Sequence, residues 1–226
     1  MPALRLLLTS AGIQNESLKA ALMDLVGRPF DQANVVFIPT ASVAASGHHG
    51  WLVEDLNRVY ALGWREFNML ELNGLPRRMV LDRLRHADVI YAEGGNPYHL
   101  ARSIIANELA DDMADMLGTK VYVGASAGSM IFSKQLTEQT AEALGDTGDL
   151  RKLGETRARS PFGFFDWYLK PHLHSLQVPN RDDAWLAGLG NKVSFPIYAI
   201  DDQSAVRVRD GEVDVVSEGL WRIVNG

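Results

Sequence analysis

The first two-thirds of the chain alternates short, unbroken apolar runs with segments of helical period, a pattern that restricts it to a parallel sheet covered by helices on both faces. The runs LRLLLT (4–9), NVVFIPT (34–40), REFNMLEL (65–72), DVIYAEGG (88–95) and KVYVGAS (120–126) read as strands. They show little polar alternation, as strands buried on both faces do. Between them, Asn15 caps a helix running to about Val26, residues 51–62 carry apolar side chains at three- and four-residue spacing, a short helix starts near Arg77, and Pro97 opens another. Residues 133–160 break the alternation: they are polar, poor in large apolar side chains, and expected to form a mobile excursion over the site. FFDWYLKP, a helix from an Asn180 cap, a strand FPIYAID and a terminal hairpin SAVRVRDGEVDVV turned at Asp210-Gly211 complete the chain. The expected fold is a three-layer α/β/α sandwich built on a mostly parallel sheet, with ligands gathering at the carboxyl ends of the strands.

At 226 residues the chain suits one domain with a full core. Its 28 acidic against 22 basic residues, with no long Lys/Arg block, argue against nucleic acid as a partner. There is no cysteine, which excludes disulfides, thiolate zinc sites and a cysteine nucleophile. The apolar start is only a strand long and no stretch has membrane-spanning length, so a cytoplasmic protein with no membrane partner is expected.

The strongest chemical signal is Gly124-Ala125-Ser126-Ala127-Gly128, a G-x-S-x-G arrangement where a buried strand ends and a helix begins. A serine at such a turn sits in strained backbone, and here all four flanking residues are Gly or Ala, the smallest available. The turn presents the hydroxyl at a helix N-terminus, where the Ala127 amide and the helix dipole would favour an oxyanion. Glu93-Gly94-Gly95-Asn96 closes the preceding strand and should lie beside this elbow, where its amides could complete an oxyanion hole. It lacks the spacing of a dinucleotide or phosphate-binding loop, so no nucleotide cofactor is expected.

A serine nucleophile needs an adjacent base. His48 and His49 fall in a Gly-flanked loop and His86 and His99 on helices, which leaves His172 and His174 in Lys170-Pro171-His172-Leu173-His174. Spacing does not choose between these two. A carboxylate should orient the imidazole, and Asp201 and Asp202 leave a strand at the appropriate end of the sheet.

Taken in order, GGN at 94–96, GASAGSM at 124–130, Pro171-His172 after a Gly-Phe-Phe-Asp run, and IDDQSAVRV at 200–208 resemble the peptidase E family of serine peptidases, which includes the aspartyl dipeptidases and the cyanophycinases. The resemblance spans nearly the whole chain and implies the fold of the class I glutamine amidotransferases, which is flavodoxin-like. It also implies Ser126 as nucleophile, His172 as base, and an oxyanion hole from the Gly95 and Ala127 amides. Asp202 stands as orienter where family members commonly carry Glu; Asp201 and Glu138 are the alternatives. Arg181 matches the family's receptor for an acidic side chain, with Asn96 also assigned to substrate binding. The implied activity is hydrolysis of short peptides, as a dipeptidase preferring an N-terminal Asp, without metal or cofactor and in a possible homodimer. Competing readings are an esterase of the α/β-hydrolase type and an inactive peptide-binding homologue.

Overall fold

The computed structural model describes residues 3–176 and 178–226. Its elements, in chain order, are β1 (Arg5–Thr9), α1 (Glu16–Val26), β2 (Asn34–Ile38), α2 (Thr40–Val43), α3 (Gly50–Ala61), β3 (Glu66–Met69), α4 (Arg77–His86), β4 (Val89–Ala92), α5 (Pro97–Ala106), α6 (Ala110–Leu117), β5 (Val121–Ala125) and α7 (Ala127–Met130). There follow α8 (Glu138–Leu144), α9 (Thr147–Lys152), β6 (Tyr168–Lys170), α10 (Asp183–Leu189), β7 (Ile197–Ile200), β8 (Ser204–Arg209), β9 (Glu212–Ser217) and β10 (Trp221–Val224).

The main sheet has the order β3-β2-β4-β5-β1-β8-β9, with β1 to β5 parallel and β8 and β9 antiparallel at one side. Because side chains alternate across a strand, each inner strand feeds two apolar layers. Leu6, Leu8, Val36, Ile38, Ile90 and Tyr122 pack under α4, α5 and α6. Leu7, Val35, Phe37, Tyr91 and Val123 pack under α1 and α3. The helices begin and end on the expected signals: the Asn15 side chain accepts from the Leu18 amide at 2.9 Å, and Gly27 closes α1 in the left-handed region at φ 71°. The terminal hairpin turns at Asp210 and Gly211, both with positive φ, as a two-residue loop that matches strand twist requires.

Three features depart from the sequence reading. FPIYAID contributes β7 to a separate three-stranded sheet, β10-β7-β6, in which β6 and β7 are parallel. Residues 133–160, expected as a mobile excursion over the site, contain α8 and α9; Thr137 caps α8 by accepting from the Thr140 amide, and Gly145 ends it at φ 76°. The late helix starts at an Asp182 cap rather than at Asn180. Among the described residues, no helix is long and apolar enough to cross a membrane.

Candidate active site

The sheet register brings the site together. Thr9 of β1 pairs with Ala125 of β5, so Ser10 and Ser126 leave adjacent parallel strands at the same edge. Lys170 of β6 pairs with Ala199 of β7, and the Leu173 amide donates to the Ile200 carbonyl, so His172 and Asp202 leave a second pair of adjacent strands. These two pairs of strand ends meet.

Ser126 has φ 46° and ψ −105°, a conformation a side-chain-bearing residue adopts only when its surroundings impose it. They do so through contacts that leave no room for alternatives. A Cβ on Gly128 would lie 2.1 Å from the Ala92 carbonyl oxygen, and one on Gly124 would lie 2.6 Å from the Gly128 carbonyl carbon. The Ser126 amide donates to the Thr9 carbonyl at 3.1 Å, and the Ser129 hydroxyl bonds the Thr9 and Gly124 carbonyls, each at 2.8 Å. The following helix, α7, is only four residues long, so its first N–H groups rather than an extended dipole supply any positive potential at the serine.

Ser126 Oγ lies 2.9 Å from His172 Nε2, and His172 Nδ1 lies 2.7 Å from Asp202 Oδ1. With Nδ1 protonated toward the carboxylate, Nε2 is left to accept the serine proton. Burial alone would raise the Asp202 carboxyl. Hydrogen bonds and charge from His172, with further hydrogen bonds from Ser175 and Ser10, outweigh burial and hold it at about 2. Ser10, absent from the sequence reading, donates to Asp202 Oδ1 at 2.8 Å and accepts from the His172 amide at 2.8 Å, fixing imidazole and carboxylate together.

The alternatives fall elsewhere. His174 turns to Asp183, 3.1 Å away. Asp201 organises the turn into β8, accepting from the Gln203 amide and the Ser204 hydroxyl. Glu138 accepts from the Ala158 amide. Asn96, expected at the substrate, caps α5 instead: its Oδ1 accepts from the Tyr98 and His99 amides, its Nδ2 donates to the Asp149 carbonyl, and it is buried. Gly94 and Gly95 do lie beside the elbow. A Cβ on Gly94 would sit 3.3 Å from Ser126 Cβ, and Gly95 at φ 129° has the Ala41 carbonyl where its Cβ would be.

Ser126, His172 and Asp202 line a cleft of about 390 Å3. Its charged lining includes Lys170 and Arg181, both paired with Asp146, together with Asp149, and a second group, Arg58 paired with Asp55, together with Glu54 and Glu93. Arg181 donates from Nη1 to the Pro171 carbonyl at 2.8 Å and from Nη2 to Asp146 at 3.3 Å. Lys170, buried, pairs with the same Asp146. Burial outweighs that carboxylate and lowers the lysine to about 8. Lys170 sits inside the Pro-His motif, and Ser10 directly follows the first strand; both positions were visible in the sequence, but their neighbours were not.

A parallel-sheet α/β sandwich with a serine at a strained strand-to-helix turn and an imidazole on its hydroxyl has the form of a serine hydrolase. The particular family follows from comparison: the profile of peptidase family S51 matches residues 6–216, and the chain belongs to that family. An uncharacterized peptidase of Pasteurella multocida (strain Pm70) is 23% identical over 190 residues, covering 83% of this chain and 86% of its own. In fold, the chain is similar to a crystal structure described as a peptidase E protein from Listeria monocytogenes EGD-e, with TM-score 0.76, 19% identity, and coverage of 96% of this chain and 100% of that one. A peptidase from an acI-B1 Actinobacterium gives TM-score 0.67 and 19% identity, covering 100% of this chain and 92% of its own.

Proposed function

We propose that this S51 peptidase is a dipeptidase that hydrolyses short peptides with an acidic first residue, through a Ser126-His172-Asp202 triad. The observation that carries the reading is the unbroken contact from Ser126 Oγ through the imidazole to Asp202, at 2.9 and 2.7 Å. Ser126 Oγ attacks the peptide carbonyl while His172 Nε2 takes its proton. The amides of Gly95 and Ala127 receive the oxyanion. The protonated imidazole, steadied by Asp202, returns the proton to the leaving amine, and water then hydrolyses the acyl-enzyme by the same route.

The acidic preference rests on Arg181 and Lys170. The guanidinium has five N–H donors, and Pro171 and Asp146 take two of them, which leaves a fork for a carboxylate. The chain order Ser, His, Asp speaks against an α/β-hydrolase esterase, in which the acid precedes the histidine. Closure of the Asp202 contact despite the shorter side chain speaks against an inactive homologue.

Ser126→Ala should lower turnover of aspartyl dipeptides by at least about 10^4-fold, and a fluorophosphonate should label Ser126 alone. Turnover unchanged in the variant, or labelling of another serine, would overturn the assignment. A dipeptide library assayed with Arg181→Ala should lose its acidic preference; an unaltered preference would remove Arg181 from substrate recognition.

A further inference from the structure

A second group of charged side chains lining the cleft, Glu54, Asp55, Arg58 and Glu93, has no part in acyl transfer, yet it holds a buried carboxyl oxygen without a hydrogen-bond partner among the described residues. Glu93 follows β4, is 3% exposed, lines the cleft, and its Oε2 has no hydrogen-bond partner among the described residues. A buried carboxyl oxygen without a partner is costly and uncommon in a folded chain. Its surroundings make the choice of ligand narrow. Asp55 of α3, also 3% exposed, faces it and is held by the Tyr91 hydroxyl at 2.5 Å and by Arg58 at 3.4 Å. Burial first, then the negative charge of Asp55 and a side-chain hydrogen bond to it, hold the Glu93 carboxyl well above its ordinary range. Glu54 adds a third carboxylate to the group against the single cation Arg58. A compact cation with several N–H donors would bond Oε2 and favour the ionised form of a carboxyl that burial and Asp55 otherwise keep neutral.

Position selects which cation. Glu93 precedes Gly94, which abuts Ser126, so Glu93 lies about one residue's width from the reacting carbonyl, within reach of a group borne on the α-carbon next to it. We propose that Glu93, backed by Asp55, is the subsite for the free α-ammonium group of the substrate's first residue. The inference rests on the peptidase reading above and deepens it. The α-carbon would direct its carbonyl to Ser126, its ammonium to Glu93 and an acidic side chain to Arg181. Such a site restricts the enzyme to peptides with an unblocked first residue.

The test is a binding measurement on the intact Ser126→Ala protein, which does not depend on turnover. Aspartyl-alanine should bind about ten- to a hundredfold more tightly than its des-amino analogue, succinyl-alanine, as expected for loss of a charge-assisted hydrogen bond. Adding Glu93→Gln should weaken aspartyl-alanine by a similar factor and leave succinyl-alanine unchanged. Equal binding of the two ligands to the Ser126→Ala protein would overturn the proposal, and that comparison needs no change at Glu93. Tight binding set by a lysine side chain at the second residue, shown by succinyl-lysine binding as well as aspartyl-alanine, would also overturn it. Failure of the parent reading has a different signature: the wild type hydrolyses no peptide, whatever the binding series shows.

Discussion

Ser10 shows how a residue with no chemistry of its own can govern one that has it. Its hydroxyl bonds both the His172 amide and the Asp202 carboxylate, so Ser10→Ala should lower kcat about tenfold while KM stays nearly constant, measured by steady-state kinetics on a short peptide. Asp202 carries a stability signature as well. Its carboxyl is held at about 2, against an ordinary value of 3.8. Its contribution is therefore complete above about pH 4 and is lost as pH falls through 2. Denaturation of wild type and Asp202→Asn should show a stability gap at pH 6 that closes over that window. Beside Arg181, Lys170 loses its charge above about pH 8, so KM for acidic dipeptides should rise there, and Lys170→Arg should blunt the rise. At this scale Ser126 was legible in the sequence because its five-residue motif is local. The choice of His172 over His174 was not, since both share one loop and only the neighbour each imidazole meets separates them. Glu93 read as part of a glycine turn; its role depends on Asp55, which belongs to a helix from another part of the chain.

Among the elements, the buried parallel strands and the amphipathic α1 were legible because burial on both faces and helical period each leave a one-dimensional trace. The elbow was legible for a related reason, since close packing around it demands the two glycines. Gly128→Ala would place a methyl group 2.1 Å from the Ala92 carbonyl oxygen and should cost about 3 kcal/mol or more, measured by urea denaturation. The three-residue strand β6 was not legible, because so short a run of Tyr-Leu-Lys carries no period. The α8 and α9 region misled for a different reason. Its helices are short and each sends only one or two apolar side chains, Ala141, Leu144 and Leu150, into the core, so helical period leaves little trace, and the Thr137 cap and Gly145 are the main local marks.

Across the whole molecule, the apolar layer under α4 to α6 runs without interruption into the small sheet: Val36 and Ile90 share it with Leu169, Ile197 and Ile200. The two sheets should therefore unfold together, and loss of activity and of far-UV circular dichroism should show one common urea midpoint. Topology also explains which acid meets the histidine. The chain crosses from β7 in the small sheet to β8 in the main one through residues 201–203 alone, and Asp202 lies at the middle of that crossing. The carboxylate thus stands on the seam between the two layers of strands, while the serine is anchored on one side and the imidazole on the other. If the proposed triad acts, a slip of one layer past the other by a fraction of an ångström would detune proton transfer while the cleft kept its shape, so turnover would report how well the two layers are aligned.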